Sequence, residues 1–221
     1  MKRTITIVII VLAVLGGGYY LFRISPQQSS FSGSAGFNLS NIKPQGVPDE
    51  INSMDHILGN ANAKNTMVVY EDYQCPACAE FAPLVRQLPN VFKDTKVVVR
   101  DFPLYQIHKN AVVSAYAAEA AAAQGKYWEM YDVLYSKQPE WENLSDPISK
   151  FTEYAQSVGV GDLKKFQDDI NNASYKPQVE RDLREATALG LQGTPTFIFN
   201  GHQLKNDQLQ KMLAQAEPYF K

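Results

Sequence analysis

The hydrophobic pattern of the chain begins with an uncharged apolar run, ITIVIIVLAVLGGGYYLF, at residues 5–22. Lys2 and Arg3 precede this run, and its length approaches that of a helix that crosses a bilayer. We therefore predict that residues 1–24 form a membrane anchor, with a cleaved signal peptide as the alternative. Either interpretation places the rest of the chain outside the cytoplasm.

The next segment, residues 25–54, has no sustained apolar period and is rich in Ser, Gln, Asn, Gly and Pro. This composition is typical of a flexible linker, which would hold the following domain away from the membrane. We expect order to begin near Asp55 and the folded domain to occupy residues 55–221.

Apolar positions in the first part of this domain follow a strand, helix and strand order. TMVVYEDY at residues 66–73 and KVVVRDFPL at residues 96–104 are β-branched and aromatic runs typical of buried strands. Between them, Pro76 suits the first turn of a helix, and an apolar stripe with helical spacing runs from Phe81 to Leu88. The order predicts a βαβ unit.

From about residue 107 to residue 189 the pattern is helical. The alanine-rich segment NAVVSAYAAEAAAAQGKYWEMYDVLYSK favours helix, with a break at Gly125, and SDPISKFTEYAQSVGV predicts a further amphipathic helix that ends at Gly159. The strand pattern returns in TPTFIFN at residues 194–200, and residues 208–219 predict a closing helix. The sequence therefore predicts an α/β domain that is split by a helical insertion.

The charge of the exported part argues against nucleic acid as a partner. Without the three basic residues of the N-terminal segment, the chain has 18 Lys and Arg against 23 Asp and Glu, a net charge of about −5. Phosphate binding needs clustered positive charge, and the sequence contains no extended run of Lys or Arg.

Only two cysteines are present, and both lie in EDYQCPACAEF, where Cys75 and Cys78 enclose Pro76 and Ala77. Cys75 comes where a strand gives way to a helix, so free N–H groups and the helix dipole should lower the pKa of an exposed thiol there. Cys78 follows one turn later, and we expect the domain to cover it. Such a pair can exchange disulfides, with one thiol attacking and the other resolving the mixed disulfide.

Two other interpretations of the cysteines are weaker. Zinc needs three or four protein ligands, and His56, His108 and His202 are scattered without ligand spacing. Two inert buried thiols, or a purely structural disulfide, are the remaining alternative. A single CxxC pair in a βαβ context of an exported chain favours redox chemistry.

The strings YEDYQCPACAEF, FPLYQIHKNA, EAAAAQGKYWEMYDVLY and GTPTFIFNG resemble the DsbA-like branch of the thioredoxin superfamily, in particular its membrane-tethered or secreted bacterial thiol-disulfide oxidoreductases. The resemblance covers residues 55–221 and implies a thioredoxin-like fold interrupted by a helical insertion. It also implies that Cys75 is the nucleophile and Cys78 the resolving cysteine, and that Pro195 is a cis-proline facing them. Thr194 and Pro195 would bind substrate; an ordinary trans proline is the alternative.

The sequence departs from the family pattern at two positions. Val69 stands where members commonly have an acidic residue, six positions before the first cysteine. Glu71 shares strand parity with Val69, and its acting in that residue's place through a water is the alternative. We expect Glu71, like Asp72, to be a solvated carboxylate at the strand end and assign neither a catalytic role. Ala77 stands where strongly oxidising relatives often have a histidine that stabilises the thiolate, which leaves the oxidising strength open.

Two further features favour structural roles. His108 lies in a segment that resembles the family, and we expect a capping or loop histidine. Four aromatic residues recur at helical spacing, and we expect them to pack in the core, with a substrate-facing groove as the alternative: Tyr127, Trp128, Tyr131 and Tyr135.

Together these features predict an extracytoplasmic thiol-disulfide oxidoreductase, a dithiol oxidase that introduces disulfides into exported proteins with free thiols. We expect no metal or organic cofactor, because the Cys75–Cys78 disulfide itself carries the electrons. A separate membrane protein must reoxidise the pair, and the resemblance implies a DsbB-like or vitamin-K-epoxide-reductase-like partner. The alternatives are a reductase or isomerase on the same fold, and a non-catalytic peptide-binding or chaperone module. Cleavage of the N-terminal segment would make the protein secreted or periplasmic.

Overall fold

The computed structural model describes residues 48, 50–92, 94–205 and 208. The predicted N-terminal anchor, most of the predicted linker and nearly all of the predicted closing helix lie outside the described residues. Within that part of the chain, no helix has both the length and the apolar character needed to span a bilayer.

The described elements are five strands and seven helices. The strands are β1 (His56–Leu58), β2 (Asn65–Glu71), β3 (Thr95–Asp101), β4 (Thr196–Phe199) and β5 (His202–Gln203). The helices are α1 (Pro76–Val91), α2 (Ala111–Ala122), α3 (Tyr127–Ser136), α4 (Gln138–Trp141), α5 (Ile148–Ser157), α6 (Leu163–Asn171) and α7 (Lys176–Ala188).

The strands form one mixed sheet in the order β1-β3-β2-β4-β5. β2 and β3 are parallel, in a register that runs from Asn65↔Thr95 to Glu71↔Asp101, and α1 connects them. The predicted βαβ unit is therefore confirmed. β1 pairs antiparallel with β3, and β4 pairs antiparallel with β2. Because β2 and β3 are covered on both faces, their sequences are continuous apolar runs without alternation.

The central strands end earlier than the apolar pattern predicts. β3 stops at Asp101, because Pro103 has no N–H to extend the ladder. The last sheet-like contact is the hydrogen bond from the Phe102 N–H to the carbonyl oxygen of Glu71, at 2.7 Å. Both strands therefore finish at the same edge, next to the start of α1.

The predicted helical insertion is confirmed and consists of α2 to α7, between β3 and β4. The predicted break at Gly125 falls between α2 and α3, where this glycine has a φ of +72°. α2 is buried on almost all sides, and its alanines let neighbouring helices approach closely. Trp141 and Phe151, both 0% exposed, form an edge-to-face pair in the core of the insertion.

A buried ion cluster joins the start of the domain, the sheet and the end of the insertion. Arg100 in β3 is 1% exposed, and its guanidinium lies 3.0 Å from Asp55 Oδ2 and 2.6 Å from Glu185 Oε2 in α7. The Asp55 side chain is 0% exposed, and Arg181 of α7 also contacts it, at 3.1 Å. Removing Arg100 would deprive the two buried carboxylates of the cation that they share, with Arg181 still in contact with Asp55.

We therefore expect Arg100→Met to lower the free energy of unfolding by about 3–5 kcal/mol, the range for breaking a buried ion pair. Urea unfolding of the purified protein measures this change. Lys64→Met is the matched control, because the Lys64–Asp94 pair is exposed and its charged atoms are 3.8 Å apart. The control should cost about 0–1 kcal/mol. Equal losses in the two variants would contradict the structural role of Arg100.

Candidate active site

Cys75 occupies the N-cap position of α1, with Pro76 in the first turn. The turn that leads into it is closed by the Cys75 N–H, which donates to the carbonyl oxygen of Asp72 at 3.0 Å. Pro76 and Ala77 are exposed, whereas Cys75 itself is only 7% exposed. We expected the thiol of Cys75 to be exposed. It is mostly covered, because the segment before β4 lies against its sulfur.

That segment contains Thr194 and Pro195, and the peptide bond between them is cis, as predicted. The Cys75 Sγ donates a hydrogen bond to the Thr194 carbonyl oxygen at 3.3 Å. The buried Thr194 hydroxyl has no hydrogen-bond partner among the described residues, which leaves its O–H available to a thiolate. The structure therefore brings Thr194 and Pro195 to the cysteines; their role toward substrate stays a prediction.

The two cysteines are free thiols with opposite environments. The pKa of Cys75 is lowered to about 5, chiefly by a hydrogen bond from the Cys78 thiol. Burial opposes this shift, while Thr194 and the backbone N–H groups of Cys78 and Ala77 support it. Cys78 is 0% exposed, and burial raises its pKa well above the ordinary value. The division into one activated and one covered thiol agrees with the sequence analysis.

Glu71 is the main correction to the sequence analysis, because it is not solvated. It is 2% exposed beneath the cysteines, and the Tyr131 hydroxyl of α3 donates to its Oε1 at 3.3 Å. Its Oε2 has no hydrogen-bond partner in the described part of the chain. Burial raises the pKa of Glu71 to about 8, and nearby negative charge at Asp101 and Cys75 adds to the effect.

The sequence does contain a sign of the position of Glu71, because this residue has the same strand parity as Val69. Val69 is 0% exposed, and Glu71, two residues further along β2, points to the same side of the sheet. The sequence does not show that α3 covers Glu71, because the contacting residue Tyr131 lies 60 residues away along the chain. The acidic group that Val69 does not supply is therefore present close by, and its charge raises the pKa of Cys78.

Asp72 is buried as well, at 1% exposure, which corrects the second expectation of a solvated carboxylate. Its Oδ1 accepts from the Gln74 N–H at 2.7 Å, and its Oδ2 accepts from the Leu104 N–H at 2.9 Å. His108 lies in the loop before α2, as expected, and its Nδ1 is 2.7 Å from the same Oδ2. The hydrogen bond to Asp72 raises the pKa of His108 against the effect of burial.

Other side chains at the site support the fold around the cysteines. The expected core packing is confirmed for Tyr127, Tyr131 and Tyr135, which are at most 6% exposed, whereas Trp128 is only half-buried. Gln138 was not singled out from the sequence, yet its Nε2 donates to the carbonyl oxygens of Tyr73 at 2.8 Å and Cys75 at 3.1 Å. Across the described residues, no three His, Cys, Asp or Glu side chains are grouped so that they could hold a metal ion.

Comparison with known proteins places this chain in a family. The family model described as Thioredoxin matches residues 52–216. The chain belongs to the thioredoxin family. Its fold is the thioredoxin-like α/β fold with a helical insertion that DsbA-like thiol-disulfide oxidoreductases share.

Two solved structures illustrate this relationship. Oxidised BdbD from Bacillus subtilis superposes with a TM-score of 0.66 at 22% identity, over 80% of this thioredoxin-family chain and 100% of that one. A thioredoxin-like oxidoreductase from Silicibacter pomeroyi DSS-3 gives a TM-score of 0.59 at 25% identity, over 76% of this chain and 94% of the other. Both likenesses concern the fold.

Curated relatives share this thioredoxin-family segment as part of longer chains. A protein named Na(+)/H(+) antiporter NhaA 3, from Salinispora tropica, is 34% identical over 149 residues. The match covers 67% of this chain and 22% of the antiporter. The chain thus spans less than a quarter of that relative's length. The antiport activity in the relative's name is not assigned to the matched segment.

The electrostatics of the two cysteines predict which one reacts. In the reduced protein, thiolate absorbance and alkylation should titrate at Cys75 with a midpoint at the pKa of about 5, against about 8.5 for an unperturbed thiol. Cys78→Ala should move this midpoint upward, because it removes the hydrogen bond that contributes most. Preferential labelling of Cys78, or a midpoint that the variant leaves unchanged, would contradict the site geometry.

Burial of Glu71 predicts a stability that depends on pH. Its pKa is about 8 in the folded protein, against 4.5 as its ordinary value, so ionisation in the unfolded chain weakens folding as the pH rises between these values. Glu71→Gln should therefore raise the free energy of unfolding of the reduced protein by about 3 kcal/mol at pH 7, and by about zero at pH 4.

Urea unfolding at a series of pH values measures this difference. The matched control is Glu80→Gln, since Glu80 is exposed on α1. The control variant should follow the wild type at every pH. A Glu71→Gln variant that is less stable than the wild type at pH 7 would show that the carboxylate form of Glu71 is favoured in the folded state.

Proposed function

We propose that this thioredoxin-family protein is a thiol-disulfide oxidoreductase that acts outside the cytoplasm as a dithiol oxidase, introducing disulfides into exported proteins with free thiols. The observation that carries the proposal is the low pKa of Cys75, about 5, beside a covered Cys78. A stabilised thiolate favours the reduced form of the pair, and this makes its disulfide an oxidant.

In the proposed reaction, a substrate thiolate attacks Cys75 Sγ of the Cys75–Cys78 disulfide. A new bond joins the substrate sulfur to Cys75, the bond between the two cysteines breaks, and Cys78 leaves with the electron pair. The second substrate thiolate then attacks the substrate sulfur of this mixed disulfide and expels Cys75 as a thiolate. Two electrons pass from the substrate dithiol to the pair, and the low pKa of Cys75 makes it the better leaving group.

Glu71 supplies the proton that Cys78 needs in this scheme. Cys78 leaves as a thiolate inside the domain, where burial strongly favours its neutral form. The pKa of Glu71, about 8, keeps that carboxyl protonated at neutral pH. Its charge interacts with Cys78, so the two groups are close enough to couple electrostatically. Glu71 is then reprotonated from solvent, and in reoxidation it must release this proton before it can accept the proton of Cys78.

Thr194 and Pro195 are the proposed substrate-binding residues. They lie beside the Cys75 sulfur and precede β4, with the Thr194 carbonyl 3.3 Å from that sulfur. An extended substrate segment can pair with exposed backbone at such a position, which brings its sulfur to Cys75.

Reoxidation and location complete the proposal. Cys75 and Cys78 are the only cysteines of the 221-residue sequence, so a separate oxidant must accept their electrons. We propose a DsbB-like or vitamin-K-epoxide-reductase-like membrane protein for this step. The apolar run at residues 5–22 supports a single-pass anchor that keeps the domain at the outer face of the membrane, near such a partner.

The reduction potential of the Cys75–Cys78 pair tests the direction of electron flow. Equilibration of the protein in graded glutathione buffers should give a value close to the strong oxidants, about −120 mV. A value near that of thioredoxin, about −270 mV, would instead assign the protein as a reductase supplied with electrons from the membrane.

A matched pair of cysteine variants tests the chemistry itself. Incubated with a disulfide-containing peptide, Cys78→Ser should accumulate a mixed disulfide through Cys75, because no resolving thiol remains. Cys75→Ser should form none, since Cys78 is covered. Mass spectrometry of the non-reduced proteins detects the adduct. If neither variant forms it, the protein is a non-catalytic binding module.

A further inference from the structure

The CxxC loop of this protein contains no cationic side chain. Pro76 and Ala77 fill the two positions between the cysteines, and both are exposed. A positive charge close to the Cys75 sulfur must therefore come from another element. His108, in the loop between β3 and α2, is the histidine that the fold brings to this place.

Asp72 connects His108 to Cys75. One hydrogen bond joins its carboxylate Oδ2 to His108 Nδ1 at 2.7 Å, and another joins its carbonyl oxygen to the Cys75 N–H at 3.0 Å. The carboxylate is fully buried and also accepts from the Leu104 N–H at 2.9 Å. The imidazole and the nucleophilic cysteine are therefore held to the same residue, on the exposed side of the site.

The backbone of the loop fixes the ring further. The His108 N–H donates to the Leu104 carbonyl oxygen at 3.0 Å, and the His108 carbonyl oxygen accepts from the Ala111 N–H at 3.2 Å. The His108 side chain is 17% exposed, so water reaches the ring and can exchange its proton. This combination of a fixed position and solvent access suits a group that titrates during the reaction.

Three acidic groups raise the pKa of His108, Asp72 most strongly. They are the Asp72 carboxylate, the Cys75 thiolate and Glu142 from the segment after α4. Each favours the imidazolium form. In return, the imidazolium offsets the charge of the Asp72 carboxylate, in a residue that a backbone hydrogen bond joins to Cys75.

We propose that His108, held by Asp72, is the positioning residue whose positive charge stabilises the Cys75 thiolate from outside the CxxC loop and whose protonation changes with the redox state of the cysteines. This inference rests on the proposed thiol-disulfide chemistry at Cys75. The imidazolium acts on the thiolate through space, and it takes the place of the loop histidine that Ala77 does not provide.

The coupling between the two groups is reciprocal. If His108 favours the thiolate, the thiolate must favour the proton on His108 by the same free energy. When Cys75 enters the disulfide, its negative charge disappears and His108 binds its proton more weakly. Oxidation of the pair therefore lowers the proton affinity of His108, and reduction raises it.

Titration of the histidine ring by NMR, in the reduced and in the oxidised protein, tests this coupling directly. The midpoint of His108 should fall on oxidation by about half a pH unit or more, a smaller shift than a charge in direct contact produces. Reduced Cys75→Ala should reproduce the oxidised midpoint, because it also lacks the thiolate. His202 is the internal control, since it is exposed and pairs with Phe199, at the opposite end of β4 from Pro195.

A variant series measures the same coupling from the side of the cysteine. His108→Gln should raise the midpoint of the Cys75 thiolate titration by about half to one pH unit, equivalent to a three- to tenfold loss of thiolate stabilisation. His108→Lys should restore part of it, because the charge returns. His202→Gln should leave the midpoint unchanged. Circular dichroism establishes whether each variant is folded.

Equal His108 midpoints in the reduced and oxidised proteins would overturn the proposal and leave the histidine a structural anchor of its loop. The proposal is also overturned if His108→Gln and His108→Lys shift the thiolate midpoint equally. These titrations need no substrate. A failure of the oxidase proposal, seen as absent exchange with peptide disulfides, is therefore recorded separately from a failure of the coupling.

Discussion

A negative charge on the sulfur of Cys75, a residue that is only 7% exposed, is the constraint around which this site is built. A thiolate in such a position is unfavourable unless hydrogen-bond donors replace the water that it loses. The fold provides these donors from two places that are far apart in sequence, the first turn of α1 and the segment before β4. The turn at Asp72 and the contact of Gln138 with the Cys75 carbonyl fix the backbone at the sulfur. Changes in the first turn of α1 or in the segment before β4 should therefore alter the stability of the Cys75 thiolate.

In the interior behind the cysteines, by contrast, negative charge is unfavourable, because several carboxyl groups are buried there away from water. Glu71 and Asp101 are neighbours in the register of β2 and β3, and each has one carboxyl oxygen without a partner among the described residues. Burial raises the pKa of both. Glu71, whose pKa of about 8 keeps it protonated at pH 7, adds no charge next to the resolving cysteine and places a proton where the exchange reaction requires one.

The sequence was sufficient to predict the βαβ unit, the position of the CxxC pair at the start of a helix and the helical insertion. These features depend on local periodicity and on the chemistry of a few adjacent residues. It was not sufficient for the burial of Glu71 and Asp72, because a strand end is solvated unless another element covers it. Their partners, Tyr131 and His108, lie 60 and 36 residues away. Apolar patterns show that a helix will pack, and they do not show which strand end it will cover.

The two cysteines therefore have separate proton chemistry. On the solvent side, Cys75 has a pKa of about 5, and its thiolate interacts electrostatically with His108, whose side chain is 17% exposed. On the interior side, Cys78 remains a thiol and faces Glu71, whose pKa of about 8 keeps it neutral at pH 7. The reduced pair then has one negative charge, located where a substrate arrives, and none beneath it. Forming the disulfide removes that charge and one proton from Cys78, so the pH dependence of the potential reflects both Glu71 and His108.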